Sequence, residues 1–154
     1  MTAACRLARA IENQVFVVSA NTASIDDTPI PPNFTGLDFQ IDQAAMLAGY
    51  LAAGMSKTGK VATFGGINIP PVSAFMDGYA AGVNYYNKQK GKSVKVLGWD
   101  PVKQDGSFTG DFSDTAKGKA QAEAFISEGA DVIFPVAGPV GIGLAAQNLG
   151  GRMS

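Results

Sequence analysis

One stretch of this 154-residue chain decides its fold class: Lys60-Val61-Ala62-Thr63-Phe64-Gly65-Gly66-Ile67-Asn68-Ile69-Pro70-Pro71-Val72. Its first part is short, apolar and rich in β-forming residues, which predicts a buried strand. Two glycines and two prolines then predict a turn, because proline fixes φ and lacks an N–H donor. Beyond the turn, apolar residues at helical spacing predict a long helix packed on a sheet: Val72, Phe75, Met76, Tyr79, Val83 and Tyr86.

The same strand–turn–helix unit recurs downstream. Residues 94–99 and 131–136 read as further strands, and Asp114 and Gly129 mark the start and stop of the helix between them. A last helix is marked by Ile142, Ala145, Ala146 and Leu149. Successive strands separated by helices require crossover connections, so the sequence predicts an α/β fold with a parallel sheet.

The N-terminal part is less regular. Residues 15–18 predict a strand, and the proline-containing stretch 19–36 predicts a loop. A helix over 43–53 is expected to begin at an Asp42 cap. Since its residues are apolar nearly all round, that helix is predicted to be largely buried.

Single residues carry further predictions. Gly78 and Gly82 lie one turn apart on the long helix, so we expect another element to approach its backbone closely there. Asp77 is predicted to be a solvated surface charge. Pro135 falls inside the last strand, which places that strand at a sheet edge or ends it earlier than residue 136.

Composition excludes several function classes. The chain is 46% hydrophobic and 16% charged, with a formal net charge of −1, no histidine and one cysteine, Cys5. Catalysis by histidine, histidine-bound metals and an internal disulfide are thereby excluded. No run of lysine or arginine occurs, which disfavours binding to nucleic acid or to membranes through a polybasic segment. No apolar stretch is long enough to span a bilayer, and residues 1–10 lack a signal-peptide core.

Ligands of open α/β sheets bind beyond the carboxyl ends of the strands, which points to residues 65–71, 99–112 and 137–143. The last contains Gly138-Pro139-Val140-Gly141-Ile142-Gly143, either an anion-binding turn or a tight packing turn. Trp99 and Phe112 could stack on a planar ligand or belong to the core. Asp100, Asp105 and Asp111 lack the glycine and glutamate offsets of a calcium loop. No metal, cofactor or catalytic group is predicted, so binding is favoured over catalysis.

Several ordered motifs resemble the BMP family, the basic membrane lipoproteins of the PnrA type that serve as substrate-binding components of ABC importers. The resemblance runs from about residue 15 to residue 150. It is carried by DQAAMLAGYLAA at 42–53, GKVATFGG at 59–66, PPV at 70–72, FMDGY at 75–79 and GADVIFPVAG at 129–138.

The resemblance implies a type I periplasmic-binding-protein fold, with parallel sheets covered by helices on both faces. The chain would be a fragment of about half of the two-lobed protein. Residues 1–40 would end the first lobe, and 41–154 would form a second lobe incomplete at its C-terminus. The implied partners are a nucleoside-like solute and ABC permease subunits. The implied location is extracytoplasmic, either periplasmic or at the plasma membrane through a lipid anchor absent from this chain.

The resemblance also suggests ligand contacts, which extend those expected from the sheet edge. Gly138 matches a ribose-contacting glycine of the family, and Val136 stands where the family has a base-stacking aromatic. Asn21 lies near the place of a family carboxylate. The predicted ligand-binding residues are Gly65, Gly66, Asn68, Val136, Gly138 and Asn21.

Two other functions remain open. The turn at 138–143 could serve a nucleotide-cofactor enzyme, which a bound phosphate would favour. A ligand sensor or regulator could also reuse the binding-protein fold, and only a fused signalling or DNA-binding segment would reveal it.

Overall fold

A computed structural model describes residues 17–20, 34–37 and 39–138. The chain divides into two compact units, residues 1–40 and 41–154. The assignment of these units to two lobes stays a prediction. The helix predicted at residues 142–149 lies outside the described residues.

In the first unit, strands β1 (Val17–Ala20) and β2 (Phe34–Leu37) pair in parallel. The prediction of a loop over residues 19–36 was wrong at both ends, where the chain is in these strands. Local signals missed β2 because its hydrogen-bonding partner is distant in sequence. The three prolines lie in the segment between the strands.

The second unit contains a parallel sheet of three strands. Strand β3 (Lys60–Gly65) is central, flanked by β4 (Lys95–Leu97) and β7 (Val132–Val136). Helices α1 (Ile41–Met55), α2 (Pro70–Lys90) and α3 (Thr115–Ser127) connect or precede these strands. The predicted α/β class and parallel sheet are confirmed.

Alternate residues of β3 face opposite layers of the core. Val61 packs with residues of α1 and α2, including Ala52 and Tyr79. Ala62 and Phe64 pack on the other face with Phe125 of α3. Helices therefore cover both faces of the sheet, as expected where strands are joined by crossover helices.

Helices α1 and α2 meet at glycines. A Cβ on Gly82 would lie 2.0 Å from the Met46 carbonyl oxygen, and one on Gly78 would lie 2.2 Å from the Asp42 carbonyl oxygen. Across the interface, a Cβ on Gly49 would lie 2.0 Å from the Tyr79 carbonyl oxygen. The predicted close approach at Gly78 and Gly82 is confirmed, and the approaching element is α1.

The prediction that α1 is largely buried was wrong. Leu47, Leu51 and Met55 are 74%, 65% and 66% exposed. Its buried positions are small residues, because close packing at the glycines leaves no space for larger ones: Ala45, Gly49, Ala52 and Ala53. The helix begins at Ile41, so Asp42 lies in its first turn and is not its cap.

The strand predicted over 94–99 is interrupted at Gly98, which has a φ of 83°. A Cβ there would lie 2.2 Å from the Thr63 carbonyl oxygen. The chain leaves the main sheet at this glycine and forms a small antiparallel hairpin of β5 (Trp99–Asp100) and β6 (Asp105–Gly106). This hairpin leads into the strand-end region described below.

Strand β7 continues through Pro135, which is paired with Phe64 in the register. Within the described part of the chain, β7 has a partner only on the β3 side. This agrees with the predicted edge position, where a missing N–H costs no ladder bond.

At the amino-terminal edge of the sheet, Asp131 fastens the turn between α1 and β3. Its carboxylate accepts hydrogen bonds from the Ser56 hydroxyl at 2.7 Å and from the Lys57 and Thr58 N–H groups at 2.6 and 2.9 Å. Partial burial acts to raise the pKa of Asp131, but these hydrogen bonds outweigh it and lower the pKa below its ordinary value. Asp131 is therefore ionised at neutral pH.

Candidate functional site

The carboxyl ends of β3 and β7 meet at the edge where α/β sheets bind ligands. Gly65 and Val136 are register partners, and the Gly66 N–H donates to the Val136 carbonyl oxygen at 3.0 Å. The structure thus brings together three of the predicted site residues. Asn68 and Gly138 each follow two residues further along the chain, and Asn21 lies outside the described residues.

Residues 107–112, which we call the cover segment, run alongside the end of β3. The Gly65 N–H donates to the Ser107 carbonyl oxygen at 2.9 Å. The Thr109 and Gly110 N–H groups donate to the carbonyl oxygens of Gly65 and Gly66 at 3.0 and 2.8 Å. Since the Gly66 N–H donates to the Val136 carbonyl oxygen, the N–H groups of both glycines have backbone partners and are not available to a ligand.

Both glycines allow neighbouring side chains, including two aromatic rings, to pack closely on the strand end. A Cβ on Gly65 would lie 2.7 Å from the Phe108 ring, and one on Gly66 would lie 2.4 Å from the Phe112 ring. Gly65 and Gly66 are buried. Their absent side chains let the two rings of the cover segment sit directly on the strand end.

The turn beyond Gly66 is exposed but poor in hydrogen-bond donors. Asn68 is exposed. Helix α2 begins with Pro70 and Pro71, which have no N–H groups. The next two N–H groups, of Val72 and Ser73, both donate to the Ile69 carbonyl oxygen, at 2.9 and 3.1 Å. This helix start lacks the unsatisfied donors with which helix N-termini usually bind phosphate.

At the end of β7, the residues differ in accessibility. Val136 is half-buried and packs in a cluster with Val72 and Met76, while Ala137 is fully buried. Gly138 is exposed, has a φ of 61°, and has no atom within 4 Å of where a Cβ would stand. It is the accessible position at this strand end. The remainder of the glycine turn, residues 139–143, is outside the described residues.

The two candidate stacking aromatics have different environments. Trp99 is 6% exposed and belongs to the core, edge-on to Phe108 at 6.1 Å between ring centroids. Phe112 is 36% exposed and lies over Gly66. Of this pair, only Phe112 is exposed to solvent at the strand-end edge.

Asp111 fixes the backbone on both sides of Phe112. Its carboxylate accepts hydrogen bonds from the Asp114 and Ser113 N–H groups at 2.6 and 2.8 Å and from Lys117 Nζ at 3.1 Å. In that order, these bonds lower the pKa of Asp111 to about 2. Asp114 caps α3 as predicted, accepting from the N–H groups of two residues in its first turn. The position of Phe112 is thus held by neighbouring polar contacts.

Asp77 is not the uninvolved surface charge that the sequence suggested. Its Oδ1 accepts a hydrogen bond from Trp99 Nε1 at 2.9 Å, and both carboxylate oxygens lie 3.0 Å from Gln104 Nε2. Gln104 has a φ of 54°, unusual for a residue other than glycine. One carboxylate on α2 therefore tethers the β5–β6 hairpin at its first strand and at its turn.

We expect Asp77→Leu to loosen the hairpin and, through it, the cover segment. Removal of the acceptor leaves the buried Trp99 N–H unsatisfied, at a cost of about 1–3 kcal/mol. Trp99 is the only tryptophan, so its fluorescence should shift to longer wavelength, and the Thr109 and Gly110 amides should exchange hydrogen faster.

Asp77→Asn is the matched variant, because its amide oxygen can still accept from Trp99. Its fluorescence should stay close to that of the unmodified chain. Unchanged fluorescence and hydrogen exchange in Asp77→Leu would contradict this tethering role.

No metal site is formed among the described residues. Asp100, one of the carboxylates considered for calcium, accepts hydrogen bonds from the Val102 and Lys103 N–H groups. These bonds, that to Lys103 first, lower its pKa. It acts as a turn residue. No helix in the described part of the chain is long and apolar enough to cross a membrane.

Comparisons with known proteins agree with this fold. A family described as ABC transporter substrate-binding protein PnrA-like matches residues 3–151. Basic membrane protein D of Borreliella burgdorferi (strain JD1) is 37% identical over 148 residues, covering 92% of this chain and 39% of that protein. Basic membrane protein A of Borreliella afzelii is 40% identical over 124 residues, covering 79% of this chain and 34% of that protein.

Among solved structures, the chain is similar to a crystal structure of ABC transporter system solute-binding proteins from Aeropyrum pernix K1. The TM-score is 0.70 with 30% sequence identity, covering 89% of this chain and 37% of that chain. This chain thus spans little more than a third of its relatives, less than the half that the resemblance suggested. With the family matched over nearly all of its residues, the chain belongs to the PnrA-like family of ABC transporter substrate-binding proteins.

Proposed function

We propose that this chain forms part of a solute-binding protein that takes up a neutral, planar solute of the purine nucleoside class. One observation carries the choice of solute. At the strand-end edge, Phe112 and Gly138 are exposed, while the adjacent start of α2 has no N–H group available for a phosphate. An aromatic ring and an accessible backbone suit a flat ring system bearing hydroxyl groups.

The charges at this edge support a ligand without negative charge. Acidic side chains predominate around the hairpin and cover segment: Asp77, Asp100, Asp105, Asp111 and Asp114. Lys103 and Lys117 offset part of this charge through ion pairs with Asp100 and Asp111. A phosphate would meet net repulsion here, which disfavours the nucleotide-cofactor enzyme as the alternative.

The proposed site residues fall into two groups. Phe112, Asn68 and Gly138 would contact the solute, whereas Gly65, Gly66 and Val136 would shape the surface beneath it. Asn21, outside the described residues, stays a predicted ligand contact. Closure of the two lobes around the solute would bury it, and the loaded protein would deliver the solute to ABC permease subunits outside the cytoplasm. Residues 1–40 and 41–154 would belong to the first and second lobes.

Titration of the isotope-labelled chain with inosine, guanosine and adenosine, followed by amide NMR, tests the proposal. One lobe covers one side of a ligand, so we expect dissociation constants no tighter than about 1 mM, near ~4 kcal/mol. The shifted amides should include Phe112, Asn68 and Gly138.

Adenosine monophosphate is the matched control ligand, and it should bind no more tightly than adenosine. Tenfold tighter binding of the monophosphate would favour the nucleotide-cofactor alternative. Micromolar binding of a nucleoside by the monomeric chain would contradict a shared interlobe site.

A further inference from the structure

The amino-terminal edge of the sheet, opposite the solute edge, gathers lysines from separate parts of the sequence. Lys60 and Lys95 begin β3 and β4 and are register partners. Lys57 lies in the turn before β3, and Lys88 and Lys90 lie in the last turn of α2. Lys92 lies in the turn that follows, where its N–H donates to the Asn87 carbonyl oxygen. We call these six lysines the basic end.

The basic end is not neutralised by ion pairs among the described residues. The ion pairs that the described residues form all involve lysines outside the basic end: Lys103, Lys117 and Lys119. Lys60 Nζ donates to a backbone carbonyl oxygen, that of Glu128, at 2.7 Å. Two carboxylates share this edge, Glu128 and the hydrogen-bonded Asp131. The described residues of this edge therefore carry net positive charge.

The sequence alone gave the opposite expectation, because no run of basic residues occurs in it. The fold produces the cluster by bringing together two turns, a helix end and the starts of two strands. With the acidic solute edge at the other end of the strands, the unit has a pronounced charge asymmetry in spite of the chain's formal net charge of −1. Such a charge asymmetry orients a protein in the electric field of a charged surface.

We propose that the basic end is a docking surface for anionic lipid headgroups. Its charges are spread over an end face made of separate turns and are all lysines, which suit diffuse attraction to a charged plane. Bidentate recognition of phosphate in a nucleic acid uses arginine, and the described residues include none. Met55, 66% exposed at the end of α1, lies on the chain two residues before Lys57 and adds an apolar contact at this end.

Binding of the chain to vesicles tests this proposal independently of solute binding. We expect co-sedimentation with phosphatidylcholine vesicles containing about 30% phosphatidylglycerol at low ionic strength, and loss of binding near ~0.5 M salt. Vesicles of phosphatidylcholine alone should bind little. Equal binding to both vesicle types would overturn the electrostatic assignment, as would absence of binding to the anionic vesicles.

A matched pair of double variants locates the surface. Lys88→Gln with Lys92→Gln should lower partition onto anionic vesicles about tenfold, since each basic residue near the surface contributes several-fold. Lys103→Gln with Lys119→Gln changes the net charge equally at other positions and should have little effect. Equal losses in both pairs would show a net-charge effect and overturn the proposal.

Two further measurements keep the result interpretable. Lys88→Arg with Lys92→Arg should retain vesicle binding, and melting curves should show that every variant is folded. Salt-dependent binding to duplex DNA without binding to anionic vesicles would overturn the proposal in favour of a nucleic-acid partner.

Discussion

Replacement of Gly82 by leucine is expected to lower the free energy of unfolding by about 3 kcal/mol, the upper part of the range usual for overpacking. Even the first carbon of a side chain would lie 2.0 Å from the Met46 carbonyl oxygen and 2.8 Å from the Tyr50 nitrogen. Both obstacles are backbone atoms of α1, so the helices must separate. A chemical denaturation curve would measure the loss.

A comparison of two glycine-to-alanine variants, Gly82→Ala and Gly54→Ala, provides the control for Gly82. Gly82→Ala should destabilise the protein, although alanine favours a helix by about 1 kcal/mol over glycine. Gly54→Ala on α1 gains the same propensity, but its Cβ meets only the Tyr86 ring at 3.4 Å, an ordinary contact. Gly54→Ala should therefore be neutral or stabilising. Stabilisation by both alanines would contradict the close packing of α1 and α2.

Gly138→Val is expected to weaken solute binding more than tenfold, about 1.4 kcal/mol, in a complete two-lobed protein. The valine methyl groups would occupy the accessible space beside the strand end and keep a ligand from the backbone. Valine also strains a residue with a φ of 61°. Calorimetry with the best-bound nucleoside would measure the change in affinity.

The control for Gly138 has to reproduce this strain at a distance from the solute edge. Gly91 has the same φ of 61° and likewise no atom within 4 Å of a Cβ, but it lies after α2 at the opposite end of the sheet. Gly91→Val should lose similar stability and keep its affinity. If Gly138→Val folds and binds like the unmodified protein, Gly138 is not a ligand contact. Asp77 is unsuitable as a control position because it tethers the hairpin.

The sequence predicted those parts of the fold that depend on local pattern. Three such features depend only on residues close together in sequence: the β3 strand, the apolar stripe of α2 and the Asp114 cap. All three are confirmed. Strand β2 depends on a distant partner, and its prediction as loop was wrong. Helix α1 was predicted to be buried because its own residues are apolar on nearly all sides. Burial, however, depends on whether another element packs against each side of the helix.

The candidate site was predictable as a sheet edge but not in its chemistry. Glycines after a strand indicated a turn, whereas only the structure shows that the Gly65 and Gly66 N–H groups donate to the carbonyl oxygens of Ser107 and Val136. The tether from Asp77 to Gln104 joins residues 27 apart in sequence, and no local pattern marks it. The sequence does not distinguish Phe112 from Trp99. The solvent exposure of the two side chains in the structure identifies Phe112 as the accessible aromatic.

The order of the strands along the chain has a consequence for biosynthesis. Of the three strands in the main sheet, the central strand β3 is synthesised first and β4 second. Strand β7 (Val132–Val136) is synthesised last. Until residues 132–137 emerge, β3 lacks one hydrogen-bonding neighbour, and the cluster that buries Phe64 lacks Ile133 and Ala137. Contacts between distant residues form slowly. We expect the nascent second unit to remain without stable tertiary structure over this interval, a state in which a polypeptide can still be threaded through an export channel.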